Sequence, residues 1–344
     1  MSNTFEIIEV AENASGSYEA MGSKPKFWFF HVQHGALNQY LFKEARPNTG
    51  EDWSEKIASE ICSLLGLPHA HYELAKFRGK RGSASLNFVV APPEIQHVLQ
   101  QASFWGEAFW GEAMLFNVPE PSLVHGNELL FELVRDYDRQ PVRKYHVSQH
   151  RLDLVLRTVS DESINLPLGW TPPPGVTTAA ETFVGYLLLD ALIGNTDRHH
   201  ENWGVVEWNR TSPERNVTRY LAPTYDHASS MGCLITDEDK FKRLETSDQG
   251  YSVEAFAQRA RSALYLNAGD TKALSLMDAF IKASERLPVA ARVWLDRLVG
   301  VSSLEVETLF ARLPSELASE SASRFARKLL DYNRSRLIDL RSTL

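Results

Sequence analysis

Long apolar runs, cysteines and basic tracts are all scarce in this chain of 344 residues. No run reaches the roughly 18 apolar residues of a membrane-spanning helix, so no span is expected. The N-terminus, MSNTFEIIEVAENASG, lacks both the basic leader and the apolar stretch of a signal peptide. Only two cysteines are present, Cys62 and Cys233, with no C-x-x-C or metal-ligand spacing. That excludes a disulfide framework and points to a reducing compartment, so the chain reads as cytoplasmic. The net charge is −8, with no long basic run, which argues against tight nonspecific nucleic-acid binding. There is no internal repeat, no low-complexity tract, no G-x-G-x-x-G and no Walker A sequence.

What is present has an ordinary globular balance, 43% hydrophobic and 23% charged. The length suits about two domains or one two-lobed domain. The first ~95 residues read mostly as strands. Residues 26–32 (KFWFFHV) and 39–44 (QYLFKE) suggest a hairpin with a longer loop over 33–38. Residues 53–65 carry Trp53, Ile57, Ile61, Leu64 and Leu65 at helical spacing, and Gly66 and Pro68 stop that helix. Short strands follow over 71–75 and 85–90, around a basic turn at 78–82. Residues 95–117 are mixed and aromatic. Helices are expected over 123–133, 150–159 and 177–193, and two short strands over 203–208 and 219–221. From Ser252 onward almost everything is helical by pattern. The order, a β-rich part (1–95) and then a larger α-rich part (96–344), implies a two-lobed α+β enzyme with a cleft between the lobes.

Between the apolar helix and the first short strand lies Gly194-Asn195-Thr196-Asp197-Arg198-His199-His200-Glu201-Asn202-Trp203. Asp197 and Asn202 stand five positions apart, and Asp226 lies twenty-four beyond Asn202. Phosphotransferases of the kinase type use this order: an Asp for the acceptor hydroxyl, an Asn and a later Asp for the metal. Asp-x-x-x-x-Asn alone is also what a helix end followed by a turn looks like. Asp226, closing a strand in Pro223-Thr224-Tyr225-Asp226, makes the combination far more specific. Asn202 and Asp226 are two oxygen ligands suited to Mg²⁺, which keeps waters and phosphate as its others. His199, His200 and His227 raise a zinc or di-metal hydrolase as an alternative. Adjacent His199 and His200 point apart on a regular element, which favours hydrogen bonding within the loop. Lys43 sits on an otherwise apolar strand; an ATP phosphate and a helix glutamate, Glu55 or Glu60, would satisfy it. Met21-Gly22-Ser23-Lys24-Pro25-Lys26 is a Gly-Ser turn with two lysines that could cover phosphates, though taken alone it reads first as an ordinary solvated loop.

FVGYLLLDALIGNTDRHHENW and RYLAPTYDHAS, within the segment from Phe183 to Ser229, resemble the kinase core of the HipA-like serine/threonine kinases, toxins of bacterial toxin–antitoxin systems. The resemblance implies a bilobal fold related to protein kinases. It matches Asp197, Asn202 and Asp226 to the catalytic and metal positions and His199 to the loop histidine. It likewise matches Lys43 to the strand lysine, and Gly22, Ser23 and Lys24 to the phosphate-binding loop. The family's helix glutamate, eleven residues before a Gly-Leu turn, falls on Glu55 here, counting from Gly66-Leu67. Val124-His125-Gly126-Asn127-Glu128 falls near the start of the family's helical lobe. Implied are Mg-ATP as cofactor, phosphorylation of a serine or threonine on a translation protein such as an aminoacyl-tRNA synthetase, growth inhibition, and a helix-turn-helix antitoxin partner. Little precedes Gly22, so a compact member is expected. Glu19-Ala20-Met21 replaces the serines that members autophosphorylate; Ser15, Ser17 and Ser23 lie nearby. A small-molecule or lipid kinase, or a catalytically inactive antitoxin-binding module, are the alternatives.

Overall fold

The computed structural model describes residues 4–13, 25–33, 35–90, 121–137, 147–209 and 217–343. Strands β1 (Ile7–Val10), β2 (Lys26–Gln33), β3 (Ala36–Glu44), β4 (Tyr72–Phe77) and β5 (Lys80–Leu86) make a curled sheet in the order β1-β4-β5-β3-β2. Its pairs are antiparallel except β1 with β4. The two-residue period of a strand sorts its side chains. Phe27, Phe29, Tyr40 and Phe42 point to one face and are buried. Their rings pack on each other and on Phe77, with centroids 5.2 Å apart for Phe27–Phe42 and 4.7 Å for Phe27–Phe77. Leu41 and Lys43 alternate to the opposite face, which lines a cleft. Lys43 is therefore not pressed into the aromatic core of its own strand.

The hairpin turn is tighter than the sequence suggests. Gln33 already pairs with Ala36, and Gly35 takes φ +80°. The basic turn at 78–82 also shrinks: Arg78 and Gly79 both have positive φ, 50° and 74°, the twist-matching geometry of a two-residue hairpin. Strand β1 was not expected from the sequence.

Helix α1 (Glu51–Leu65) ends on Gly66 in the left-handed conformation, φ 71°. The sheet covers one side of it, and on another Trp53 meets Phe310, with centroids 6.5 Å apart. Covered from both sides, the helix buries polar residues as well, and these are tied off. Asp52 accepts a bidentate pair from Arg81 at 2.8 and 2.9 Å. Ser54 bonds Ser230, 2.8 Å between hydroxyls.

The α-rich part contains β6 (Ser122–His125), α2 (Gly126–Leu133), α3 (Leu152–Val159), β7 (Ile164–Asn165), α4 (Ala179–Ile193), β8 (Gly204–Asn209) and β9 (Val217–Leu221). Its strands form a second sheet in the order β6-β8-β9-β7. Helix α4 is apolar all round, with every residue but Glu181 buried, as a helix at the centre of a core must be. A capping box starts it: Thr178 Oγ1 accepts from Glu181 N at 3.2 Å, and the Glu181 carboxylate accepts from Thr178 N at 3.0 Å. Helices α5 (Asp237–Glu245), α6 (Val253–Arg259), α7 (Leu276–Arg286), α8 (Pro288–Gly300), α9 (Ser303–Ala311) and α10 (Glu320–Leu340) complete the body. Residues 260–275, expected to be helical, are not. Their backbone is bonded elsewhere, Leu274 N–H to Leu264 O at 2.8 Å and Tyr265 N–H to His150 O at 3.0 Å. The sequence boundary at 95 and the aromatic stretch 95–117 lie outside the described residues.

No helix among the described residues is long and apolar enough to cross a membrane. The central packing leaves no space at Gly185 of α4: a Cβ there would lie 2.6 Å from Leu67 and from Trp294. Gly185→Val is expected to lower the urea-unfolding free energy by about 1–3 kcal/mol; an unchanged midpoint would contradict this packing.

Candidate active site

The loop after α4 is organised by one buried guanidinium. Arg198 is 1% exposed. It grips Asp190 of α4 with Nη2 on Oδ1 at 2.8 Å and Nε on Oδ2 at 2.9 Å. Its Nη1 donates to Asn202 O at 2.8 Å and to Tyr225 O at 3.3 Å. Asn195, fully buried, donates to Asp190 Oδ1 at 2.8 Å and accepts from Asp197 N at 3.1 Å. Gly194 closes the helix at φ 70°. So Asn195 does end a helix, as a turn residue would, and in doing so it orients Asp197. The loop also rests on the start of α2, where Gly126 N–H donates to Trp203 O at 2.8 Å and Asn127 N–H to His200 O at 3.0 Å.

With Arg198 turned inward, Asp197 is turned outward into the cleft, its side chain 45% exposed. Asn202 spends its amide nitrogen on Asp197 O at 2.7 Å. Its amide oxygen is thus the end available as a ligand. Asp226 follows β9 in the left-handed region, φ 55°, a conformation uncommon outside glycine. Its N–H donates to the Tyr72 hydroxyl at 3.0 Å, and its Oδ1 receives Lys43 Nζ at 2.6 Å. The strand lysine and the proposed metal carboxylate, 183 positions apart, are therefore in contact.

Electrostatics binds these groups into one unit. Loss of solvent and then the charge of Asp226 push the Asp197 carboxyl up to about 6, with Lys43 opposing. Burial works against the Lys43 ammonium, yet Asp226, Glu55 and Glu51 outweigh it and hold the group above its ordinary value. Burial lowers His199 to about 4 despite Asp226, so its ring is neutral at pH 7. His199 Nδ1 accepts from Glu201 N at 3.1 Å, and Nε2 lies 3.9 Å from Asp197 Oδ1. The ring sits within the loop, between its backbone and the acid.

Glu55 does not pair with Lys43. Its Oε1 accepts from the His227 N–H at 2.7 Å, bracing the residue beside Asp226 from α1. It remains close enough to stabilise the Lys43 charge. Glu60 lies elsewhere, on Lys56 at 2.8 Å and Arg312 at 3.8 Å. Gly22, Ser23 and Lys24 lie outside the described residues.

Lys43, Asp197, His199, Asn202 and Asp226 line a single cleft of about 1360 Å³ between the two parts. On one side of the carboxylates it is walled by Trp28, Leu41, Phe88 and Leu123. Phe88 stacks on Tyr225, 5.5 Å between centroids. The Asn202 amide oxygen and the Asp226 carboxylate are oxygen donors of the kinds that Mg²⁺ takes. Sequence reasoning missed Asp190, Arg198, Tyr72 and Ser229, whose hydroxyl donates to Asp197 Oδ2 at 3.4 Å. Asp190 and Arg198, eight positions apart across a helix end, were the readable signal.

A small strand-rich lobe over a helical lobe, with strand lysine and loop carboxylates facing across the cleft, is the protein-kinase-like architecture. The fold matches the crystal structure of the Helicobacter pylori proinflammatory kinase CtkA, with a TM-score of 0.64 over 98% of both chains at 18% identity. A HipA–HipB–operator DNA complex from Shewanella oneidensis MR-1 aligns at a TM-score of 0.47 and 12% identity, over 96% of this chain and 68% of that one. No protein-family model and no curated protein matches the chain.

Asp190→Ala strands the buried Arg198 charge and is expected to destabilise the protein by about 3–5 kcal/mol in urea unfolding. Asp190→Leu combined with Arg198→Met should recover part of that loss. Two single-mutant effects that simply add would contradict the pairing.

His150 supports the same loop: Nδ1 donates to Ala263 O at 2.9 Å and Nε2 accepts from Trp203 Nε1 at 3.1 Å. Acceptance at Nε2 requires the neutral ring, and burial lowers its pKa to about 3. The unfolded chain takes up this proton near pH 6.5, before the folded one. Its stability contribution is therefore whole above about pH 6.5 and is lost as pH falls toward 3. The loss at pH 5.5 is about 1.4 kcal/mol. His150→Gln should be less stable at pH 7.5 but lack that part of the acid slope, read from urea midpoints.

Proposed function

We propose that this protein is a Mg-ATP-dependent protein kinase acting on serine or threonine. The observation that carries the reading is the meeting of Lys43, Asp197, Asn202 and Asp226 in one cleft. The kinase-like fold supports it. Asp226 and the Asn202 amide oxygen would hold the Mg²⁺. The metal, when bound, neutralises charge on the phosphates of ATP. Lys43 leans on Asp226 and supplies a cation for the α- and β-phosphates. The apolar wall of Trp28, Leu41 and Phe88 takes the adenine, against Tyr225.

Asp197 orients the acceptor hydroxyl and receives its proton as the new O–P bond forms and ADP leaves. A carboxyl held near 6 is more basic than an ordinary aspartate and still ionised at neutral pH. Ser229 donates to the carboxylate, and the neutral His199 ring lies beside it. Glu55 acts through His227 on the position of Asp226.

The sequence resemblance extends the proposal to a cytoplasmic toxin that slows growth by phosphorylating a translation protein, with an antitoxin that restrains it. The Gly22-Ser23-Lys24 loop would cover the phosphates.

Purified protein with γ-labelled ATP is expected to label itself or a lysate protein, with Mg²⁺ required. Asp197→Asn should lower transfer at least about 10³-fold while retaining nucleotide binding by calorimetry. Asp226→Asn should lose the Mg²⁺-dependent part of that binding. Undiminished transfer in both variants would sink the reading.

A further inference from the structure

The cleft continues past Asp197, away from the apolar wall, and its lining changes character. This second arm is formed by α5, α6 and residues 260–273, and its charged groups are Arg243, Arg259, Arg261 and Lys272. The carboxylates lining the cleft, Glu51, Asp197, Glu201 and Asp226, all belong to the catalytic end. The catalytic end is mixed in charge, since Lys26, Lys43 and Arg46 line it as well, whereas the arm carries cations alone; in a chain of net charge −8 that is a local feature and not a reflection of composition.

Arg259, Arg261 and Lys272 are exposed and form no ion pair among the described residues. Arg243 is half-buried, its guanidinium 4.1 Å from the Tyr251 ring centroid and 5.2 Å from that of Phe256. It gives one N–H to Tyr251 O at 3.3 Å, while its buried Nε has no partner among the described residues. A guanidinium fixed on two rings presents a pre-oriented donor.

The arm is also anchored to the chemistry. Tyr265 N–H donates to His150 O at 3.0 Å and Leu152 N–H to Tyr265 O at 3.0 Å. His150 packs on His200 and Trp203 of the catalytic loop, with centroids 5.9 and 6.3 Å away. The backbone at Tyr265, between Arg261 and Lys272, is thus tied to the segment that packs on the catalytic loop.

We infer that the arm selects the substrate, and that the acceptor serine or threonine lies in an acidic protein segment whose carboxylates meet Arg243, Arg259, Arg261 and Lys272. This rests on the kinase reading of the same cleft. A polycationic small molecule would be repelled by these groups. A nucleic acid would need a broad basic face, and the cations here form one local arm of an acidic protein. Exposed pairs are individually weak and salt-sensitive. Together they act on encounter and KM more than on the chemical step.

The test uses the full chain, Mg-ATP and three peptides with one acceptor serine, flanked by acidic, amide or basic residues. The acidic peptide should be preferred by about tenfold or more in kcat/KM, through KM, with the ratio shrinking at high salt. Arg261→Glu with Lys272→Glu should move the preference to the basic peptide and leave Mg-ATP affinity by calorimetry unchanged. Should that pair not fold, Arg259→Glu alone, at the exposed end of α6, carries the same expectation. An active wild type that favours the amide or basic peptide overturns the inference and leaves the kinase reading standing. Retention of RNA by wild type but not by the charge-reversed pair, with no peptide preference, overturns it in favour of nucleic acid. A wild type that binds no Mg-ATP removes the kinase reading, and the inference falls with it.

Discussion

The buried ion pair between Asp190 and Arg198 is the constraint on which the site depends. One guanidinium joins three segments: the apolar helix that carries Asp190, the loop that ends in Asn202, and the strand end at Tyr225, next to Asp226. Charges this deep are costly to desolvate. They persist here because all the donors named have acceptors and because the alternative, a loop held only by its own turns, would leave Asp197 free to wander. The cost falls on the core of the larger lobe, where α4 is already buried on every side. The functional side chains, Asp197 and Asn202, are then left to face the cleft.

A second layer of order is electrostatic. Loss of solvent, and then the charge of Asp226 across the cleft, raise the proton affinity of Asp197 to about 6. Lys43 on Asp226 moderates this from the opposite lobe. Helix α1 supplies the remaining restraint through Glu55, which holds the backbone beside Asp226 and not the lysine itself. The two lobes therefore meet through charge at the cleft and through Ser54 and Ser230 behind it.

How much of this was legible follows from the range of each interaction. The order Asp197, Asn202, Asp226 was readable because it is local to one helix end and one hairpin. The strands carrying the aromatic residues were readable from alternation. Strand β1 was not, because four residues give little pattern and their partner, β4, lies 67 positions on. The tight turn at Gly35 was missed because pairing at Gln33 and Ala36, not the polar look of residues 33–38, sets its length. The irregular path of 260–275 was missed for a similar reason: its backbone partners include His150, more than a hundred positions earlier. Glu55 was preferred to Glu60 as the partner of Lys43, but its carboxylate accepts a backbone N–H beside Asp226, a contact with no sequence signature. The cationic arm could not be read at all, since positions 243, 259, 261 and 272 share no spacing.

The two ends of the cleft differ in the physics that governs them. At the catalytic end the charges are partly desolvated, paired and held by buried hydrogen bonds, so they respond little to salt and strongly to loss of a partner. At the far end the charges are mostly solvated and unpaired, so they attract without holding geometry. On the proposed kinase reading, chemistry and selection are thereby separated in one cavity. A protein that must transfer phosphate to one target gains from this, because the acceptor side can change with the target while the buried Arg198 network stays as it is.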